Sequence, residues 1–325
     1  MLTLAQHRML VTGSSGFLGH WVVSLARSHW DVTACYLSNP VQAEGLRCQR
    51  LDVRDRSAVL GLVEETRPEV IIHTAALNPG QGDDFVGVNQ IGTRNVSEAA
   101  YAVDARLIHI STDVLFDGQK GAYIEEDAPS PITPYGHSKA QAEREVKESR
   151  ARSIIVRTSL IYGPGAPAEE QHGGKAPWEA WDRQTRWVVG DLREGQPVRL
   201  FTDEMRSPIW VGSLASALLE LAGRPGLTAG RTAVLHVAGS QPLSRYAFGV
   251  RLASFHGADP TGIVPALSEG SGLDRPLDCT LDCSRARRLL EQPLPGVDEA
   301  LAEADGGATL TGVHFRFGAR CGIMR

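Results

Sequence analysis

The chain is 325 residues long, with 42% hydrophobic and 22% charged residues, a make-up that suits a globular protein with room for one large or two modest domains. Its formal net charge of −5 argues against a nucleic-acid partner, which needs a basic face. No stretch of about 18 consecutive apolar residues occurs, so a membrane span is not expected. In chain order, residues 8–12 read as a strand, 17–29 as a helix, 31–37 and 47–52 as strands, 56–66 as a helix and 70–74 as a strand. A helix over 85–103, a strand over 106–111, a helix over 135–150 and a strand over 153–157 follow.

Several of these strands are apolar throughout, as strands buried on both faces are. Strands alternating with helices predict an α/β protein with a Rossmann-type, doubly wound parallel sheet. After Tyr162 the chain turns Gly/Pro-rich, in Gly163-Pro-Gly-Ala-Pro-Ala and His172-Gly-Gly-Lys-Ala-Pro. A helix over 177–193, a strand over 198–201, a helix over 213–221, a strand over 235–238 and a helix over 244–255 are expected beyond it. The expected organisation is a dinucleotide-binding domain over 1–162, to which elements near 208–238 return. A smaller mixed α/β lobe over 163–300 would hold the substrate, and the tail over 301–325 is unassigned.

The five cysteines, Cys35, Cys48, Cys279, Cys283 and Cys321, are odd in number and widely spaced, so no disulfide framework is expected. Cys279 and Cys283 lack a second Cys/His pair, and no metal site is expected. Free thiols fit a reducing, cytoplasmic setting. The N-terminus lacks the basic start, apolar run and small-residue cleavage site of a signal peptide.

The first functional pattern is Arg8-Met-Leu-Val-Thr-Gly13-Ser-Ser-Gly16-Phe-Leu-Gly19, a short strand, a glycine turn and a helix start. Gly13 permits the tight turn, Gly16 lets backbone approach a pyrophosphate, and Gly19 allows close helix–strand packing. Ser14, Ser15, Phe17 and Leu18 belong to the same site, where a helix N-terminus offers amides and a positive dipole end to phosphate. The second strand ends Tyr36-Leu-Ser38-Asn39-Pro40 without the carboxylate that would bind a ribose 2′-hydroxyl. That favours NADP(H) over NAD(H), with Arg47 the candidate for a 2′-phosphate. Asp52, followed by Val53, is placed to meet an adenine amino group, or else serves as a turn or N-cap residue.

The second pattern is Tyr135-Gly-His-Ser-Lys139, a tyrosine and a lysine one helical turn apart. A nearby ammonium would lower a phenol pKa of about 10 toward the working range. The phenol could then protonate a substrate carbonyl oxygen. The apolar run Leu107-Ile-His-Ile-Ser111-Thr112-Asp113 delivers hydroxyls to a strand end, either to bind that oxygen or merely to cap the strand. Asn89 beside Gly92 either binds backbone or water near the lysine, or marks a helix kink. Trp178, Trp181 and Trp187 have a spacing that favours core packing over a stacking surface.

Together, Thr12–Gly19, Ile71-Ile-His-Thr-Ala75-Ala76, Val88-Asn-Gln-Ile-Gly-Thr93, Ser111–Phe116, Pro134–Lys139, Ile155–Gly163 and Arg206-Ser-Pro-Ile-Trp-Val211 resemble the extended short-chain dehydrogenases/reductases. More narrowly they resemble the dTDP-4-dehydrorhamnose reductase group, over roughly residues 8–290. The resemblance implies a catalytic trio of Thr112, Tyr135 and Lys139, with Tyr135 as general acid, Thr112 orienting the substrate oxygen and Lys139 tuning the phenol and holding the nicotinamide ribose. It implies a cofactor site of Gly13, Gly16, Gly19, Asp52, Val53, Ala75, Ala76 and Asn89. A substrate site of Ser111, Thr112, Asp113 and Arg206 goes with it, with Arg206 meeting a diphosphate or else forming a surface salt bridge. Related dehydratases carry Thr-Asp-Glu where this chain has Thr112-Asp113-Val114, which disfavours water loss and fits a reductase, although the group's reductases usually carry an aromatic at Val114. The implied activity is reduction of a 4-keto group on a nucleotide-activated deoxysugar. The alternatives are an epimerase on the same scaffold and a non-catalytic regulatory subunit such as that of methionine adenosyltransferase. Such proteins are often homodimers.

Overall fold

The computed structural model describes residues 7–41, 45–166, 177–228, 232–269, 271–272 and 274–305. It opens with β1 (Arg8–Thr12), whose last four residues are all buried. It is followed by α1 (Phe17–Ala26), β2 (Asp31–Tyr36), β3 (Arg47–Arg50), α2 (Arg56–Thr66) and β4 (Val70–His73). Then come α3 (Gly92–Ala102), β5 (Arg106–Thr112), α4 (Pro134–Glu148) and β6 (Ser153–Thr158). Their chain-order alternation produces parallel pairing, because each strand returns through a helix that covers a face of the sheet.

The second half supplies β7 (Ile161–Tyr162), α5 (Arg183–Arg193), β8 (Val198–Phe201), β9 (Met205–Arg206), β10 (Ile209–Trp210) and α6 (Val211–Ala222). It ends with β11 (Thr232–His236), β12 (Leu243–Ser244), α7 (Arg245–Phe255), β13 (Ile263–Ala266), α8 (Ser284–Leu289) and α9 (Val297–Asp305). The main sheet has seven parallel strands in the order β11-β6-β5-β4-β1-β2-β3, so the late strand β11 extends the first half's sheet beside β6. Three two-stranded pairs, β10-β7, β12-β9 and β13-β8, build the smaller mixed region. One apolar core lies between the sheet and α1 with α6, around Val22, Ile72 and Leu218. A second lies on the opposite face, around Leu10, Val63 and Val96.

Local chemistry sets the helix starts. Asp55 accepts from the Ala58 amide at 3.0 Å and caps α2. Thr133 accepts from the Gly136 amide at 3.0 Å, and Pro134 opens α4. Three expected elements differ. The 85–103 helix begins as a π-helical stretch, Val86–Ile91, before α3. The 177–193 helix is broken, since Asp182 caps α5 by accepting from Gln184 and Thr185 amides and leaves Pro177–Ala180 as a 3-10 turn. The strand expected at 235–238 starts earlier, at Thr232. Helix α9 falls where no element was assigned. Among the described residues, no helix is long and apolar enough to cross a membrane.

Candidate active site

The order of strands reverses between β1 and β4, and in such sheets ligands bind beyond the strand ends at that point. The glycine turn after β1 and Ala75–Ala76 after β4 flank it. Gly13 has φ +69°, and a Cβ there would lie 2.7 Å from the Ala75 backbone. A Cβ on Gly19 would lie 2.2 Å from the Gly13 carbonyl oxygen and 2.7 Å from the Thr74 hydroxyl. Only glycine therefore lets α1 start against the turn. Gly16 caps α1 with no side chain, leaving the first-turn amides, including those of Phe17 and Leu18, to an incoming acceptor. Such a cradle fits a dinucleotide diphosphate.

The serines of the turn divide. Ser15 is exposed, whereas Ser14 is buried and donates both its amide and its hydroxyl to the Cys35 carbonyl, each at 2.9 Å. The Ser14 hydroxyl thus ties the turn to β2. The carboxylate of Asp52 accepts from the Arg54 amide at 3.0 Å and the Arg54 guanidinium at 2.7 Å, contacts of a turn residue. Those bonds hold its pKa below the usual carboxylate range. Val53 is buried under α3, where a Cβ on Gly92 would meet it at 2.6 Å. Arg47 spends a terminal nitrogen on Glu65 at 2.5 Å.

The catalytic candidates gather at the end of β5. Tyr135, half-buried on the first turn of α4, has its ring edge-on to Phe85 at 6.0 Å. Its phenol lies near enough to the Thr112 hydroxyl to feel it. Thr112 in turn donates to Asp113 Oδ1 at 3.2 Å. Burial, and then the Asp113 carboxylate, raise the Tyr135 pKa, and the Thr112 hydroxyl opposes them. Lys139 is buried, donates from Nζ to the Ile110 carbonyl at 2.6 Å, and is pushed down to about 8 by burial, against the pull of Glu143. The expected lowering of the phenol pKa by Lys139 is not the arrangement found: the ammonium ends on strand backbone, and burial and Asp113 set the phenol. Asn89 sits in the π-helical stretch, accepts from the Leu77 amide at 2.8 Å, and donates to the Leu77 carbonyl and the Ser138 hydroxyl at 3.0 Å. It binds backbone, as one of its expected roles held, and it fixes the loop after β4 beside α4.

Two expected substrate residues face elsewhere. Ser111 donates to Glu143 Oε1 at 2.7 Å, beneath a buried Glu143–Arg157 pair at 2.8 Å, so its hydroxyl is spent in the interior. Arg206 is buried and donates to the Met205, Leu277 and Pro276 carbonyls at 2.7, 2.9 and 2.9 Å. It also lies 3.8 Å from the carboxylates of Asp113 and Glu204. It is a buried side chain rather than the expected surface salt bridge, and its fork, filled by backbone carbonyls, is closed to a diphosphate. Asp113 is buried, which raises its pKa, and it accepts from Ser159 at 2.5 Å. Ser159, Glu143 and Arg157 were not singled out in the sequence. A charged Arg157 inside an apolar strand and a Glu143 four residues past Lys139 were the available signals. Trp181 packs in an aromatic core with Trp210, while Trp187 is exposed.

Four cysteines are free thiols, and Cys321 lies outside the described residues. Among the described residues no cluster suits a metal ion.

A family model described as the RmlD substrate binding domain matches residues 7–305. A Haloferax volcanii protein named "Probable low-salt glycan biosynthesis reductase" is 30% identical over 303 residues, covering 90% of this chain and 95% of its own. Methionine adenosyltransferase 2 subunit beta of Rattus norvegicus is 27% identical over 311 residues, covering 92% of this chain and 89% of its own. The crystal structure of dTDP-4-dehydrorhamnose reductase from Bacillus anthracis in complex with NADP is 26% identical with a TM-score of 0.74, covering 92% of this chain and 98% of that one. The chain belongs to the RmlD substrate-binding-domain family, and so to the extended short-chain dehydrogenases/reductases of the dTDP-4-dehydrorhamnose reductase type.

Proposed function

We propose that the protein reduces the 4-keto group of a nucleotide-activated 6-deoxysugar, with Tyr135 as the general acid. Its family makes it an NAD(P)-dependent oxidoreductase. The observation that carries the catalytic assignment is the seating of α4 on the end of β5, where Lys139 donates to the Ile110 carbonyl at 2.6 Å and a Cβ on Gly136 would lie 2.4 Å from the Val114 carbonyl oxygen, which sets Tyr135 beside Thr112.

When bound, the reduced nicotinamide supplies the hydride for the carbonyl carbon. The phenol of Tyr135 gives its proton to the carbonyl oxygen, so the ketone becomes an alcohol and the phenol a phenolate that regains a proton from solvent. A raised pKa keeps the phenol protonated before the step. Bound substrate would turn the Thr112 hydroxyl from Asp113 Oδ1 to the same oxygen, with Asp113 held in place by Ser159 and Arg206. Lys139 holds the end of β5 through the Ile110 carbonyl and has further N–H donors to offer the nicotinamide ribose. Valine at position 114 offers no base for dehydration.

The test mixes purified protein with NADPH or NADH and a dTDP-4-keto-6-deoxyhexose and follows absorbance of the reduced dinucleotide. Stoichiometric oxidation with formation of the alcohol is expected. Tight dinucleotide binding with no turnover of any such sugar would instead favour a regulatory subunit, the second reading suggested by the likeness to methionine adenosyltransferase 2 subunit beta.

A further inference from the structure

The geometry points to Arg50 as the residue that selects NADP(H), by binding the 2′-phosphate of the adenosine ribose; this rests on the dinucleotide site described above. In this fold the residues just past β2 face the ribose, where a carboxylate selects NAD and an arginine accommodates the extra phosphate of NADP. Tyr36, Leu37, Ser38 and Asn39 bring no charge of either sign to that place. The charge arrives from the neighbouring strand. Arg50 is the last residue of β3 and pairs in register with Tyr36, the last residue of β2. Its Nε donates to the Leu37 carbonyl at 3.1 Å, which turns the guanidinium over the end of β2.

Competition among the basic residues of this edge singles it out. Arg47 is engaged by Glu65 at 2.5 Å, and Arg54 is held by Asp52 at 2.7 Å and Asp84 at 3.0 Å. Arg50 is exposed, and among the described residues its two terminal nitrogens have no partner. With Nε fixed by backbone, those two N–H groups form a planar fork suited to phosphate oxygens. Asp52 feels the charge of Arg50, but its carboxylate is bound by Arg54 at 2.7 Å, so it would repel an incoming phosphate little. Exposed Ser38 and Asn39 add polar groups beside the fork.

The experiment is calorimetric titration of NADP⁺ and NAD⁺ into the wild-type chain, Arg50→Ala and Arg50→Lys. The wild type is expected to bind NADP⁺ more tightly by roughly tenfold or more, the worth of a charged hydrogen-bonded contact. Arg50→Ala should lose that factor for NADP⁺ alone, leave NAD⁺ unchanged, and so show that the variant is folded. Arg50→Lys should recover part of it. Equal affinity of the wild type for both dinucleotides, or an equal loss for both in Arg50→Ala, overturns the assignment and leaves the dinucleotide site standing. Failure of the wild type to bind either one removes the site itself and Arg50's role with it.

Discussion

The Lys139 ammonium nitrogen lies 2.6 Å from the carbonyl oxygen of Ile110, two residues before Thr112 on the same strand. One backbone carbonyl does not repay a lysine for losing water, and burial pulls its pKa from 10.5 to about 8. A folded-state pKa below the unfolded one means that the penalty is fully present below about pH 8, where both states are protonated. It is relieved as pH rises from about 8 toward 10.5. Lys139→Met is therefore expected to stabilise the fold near neutral pH by about 1–3 kcal/mol, with the gain shrinking toward pH 10, while reduction is lost. Urea unfolding at pH 7 and pH 10 measures it, and a methionine variant less stable than wild type at pH 7 would contradict it.

Gly19→Ala tests the cradle. The added methyl would meet the Gly13 carbonyl at 2.2 Å and the Thr74 hydroxyl at 2.7 Å, and the first of these is backbone that cannot swing away. The variant is expected to lose about 1–3 kcal/mol of stability as α1 is pushed off the turn, and to lose dinucleotide binding with it. Thermal unfolding and NADP⁺ titration read the two effects. Gly61, whose Cβ would meet nothing, is the control site for an alanine on a helix.

Arg206 separates a positioning role from a ligand role. Its fork is filled by three backbone carbonyls, and two buried carboxylates depend on its charge. Arg206→Leu should cost about 3–5 kcal/mol, the usual result of stranding buried partners. Arg206→Lys keeps the charge and loses the fork, so it should lower thermal stability less and leave the sugar-nucleotide KM within about threefold, since the side chain is closed to a diphosphate. A large rise in KM with unchanged stability would return Arg206 to the substrate.

The sheet was readable because its strands are short apolar runs separated by amphipathic helices: Ile71 and Ile72 or Ile154 and Ile155 have few other places to go. The glycine turn, and the placing of Thr112 at the end of β5 and Tyr135 at the start of α4, were readable because local order, strand then turn then helix, fixes where those side chains emerge. Misplaced residues were those whose partners lie far along the chain. Ser111 turns inward toward Glu143, 32 residues on, and Arg206 toward Leu277, 71 residues on. No window around either residue contains that partner. The same holds at the ribose, where strand pairing brings Arg50 to the end of β2. The π-helical turn at Asn89 escaped because it depends on hydrogen bonds with Leu77 across a loop.

Tyr135→Phe isolates the proton donor. The ring keeps its place against Phe85, and only the hydroxyl is removed. With no acid to protonate the developing alkoxide, reduction should slow by about 10²–10⁴-fold, the usual worth of a positioned general acid. NADP⁺ binding, set by the glycine turn and Arg50 on the other side of the switch point, should stay within about threefold, because no hydrogen bond to the dinucleotide phosphates is touched. Thr112→Val should slow the same step by about 10²-fold through loss of one oxygen-binding donor, again with binding intact. Because Thr112 and Tyr135 serve one oxygen, the double variant should be little slower than Tyr135→Phe alone. Rapid-mixing kinetics at saturating NADPH and sugar nucleotide measure all three. Full multiplication of the two single effects would mean that the residues act on different atoms, and near-wild-type rates in Tyr135→Phe would take the proton donor out of this site.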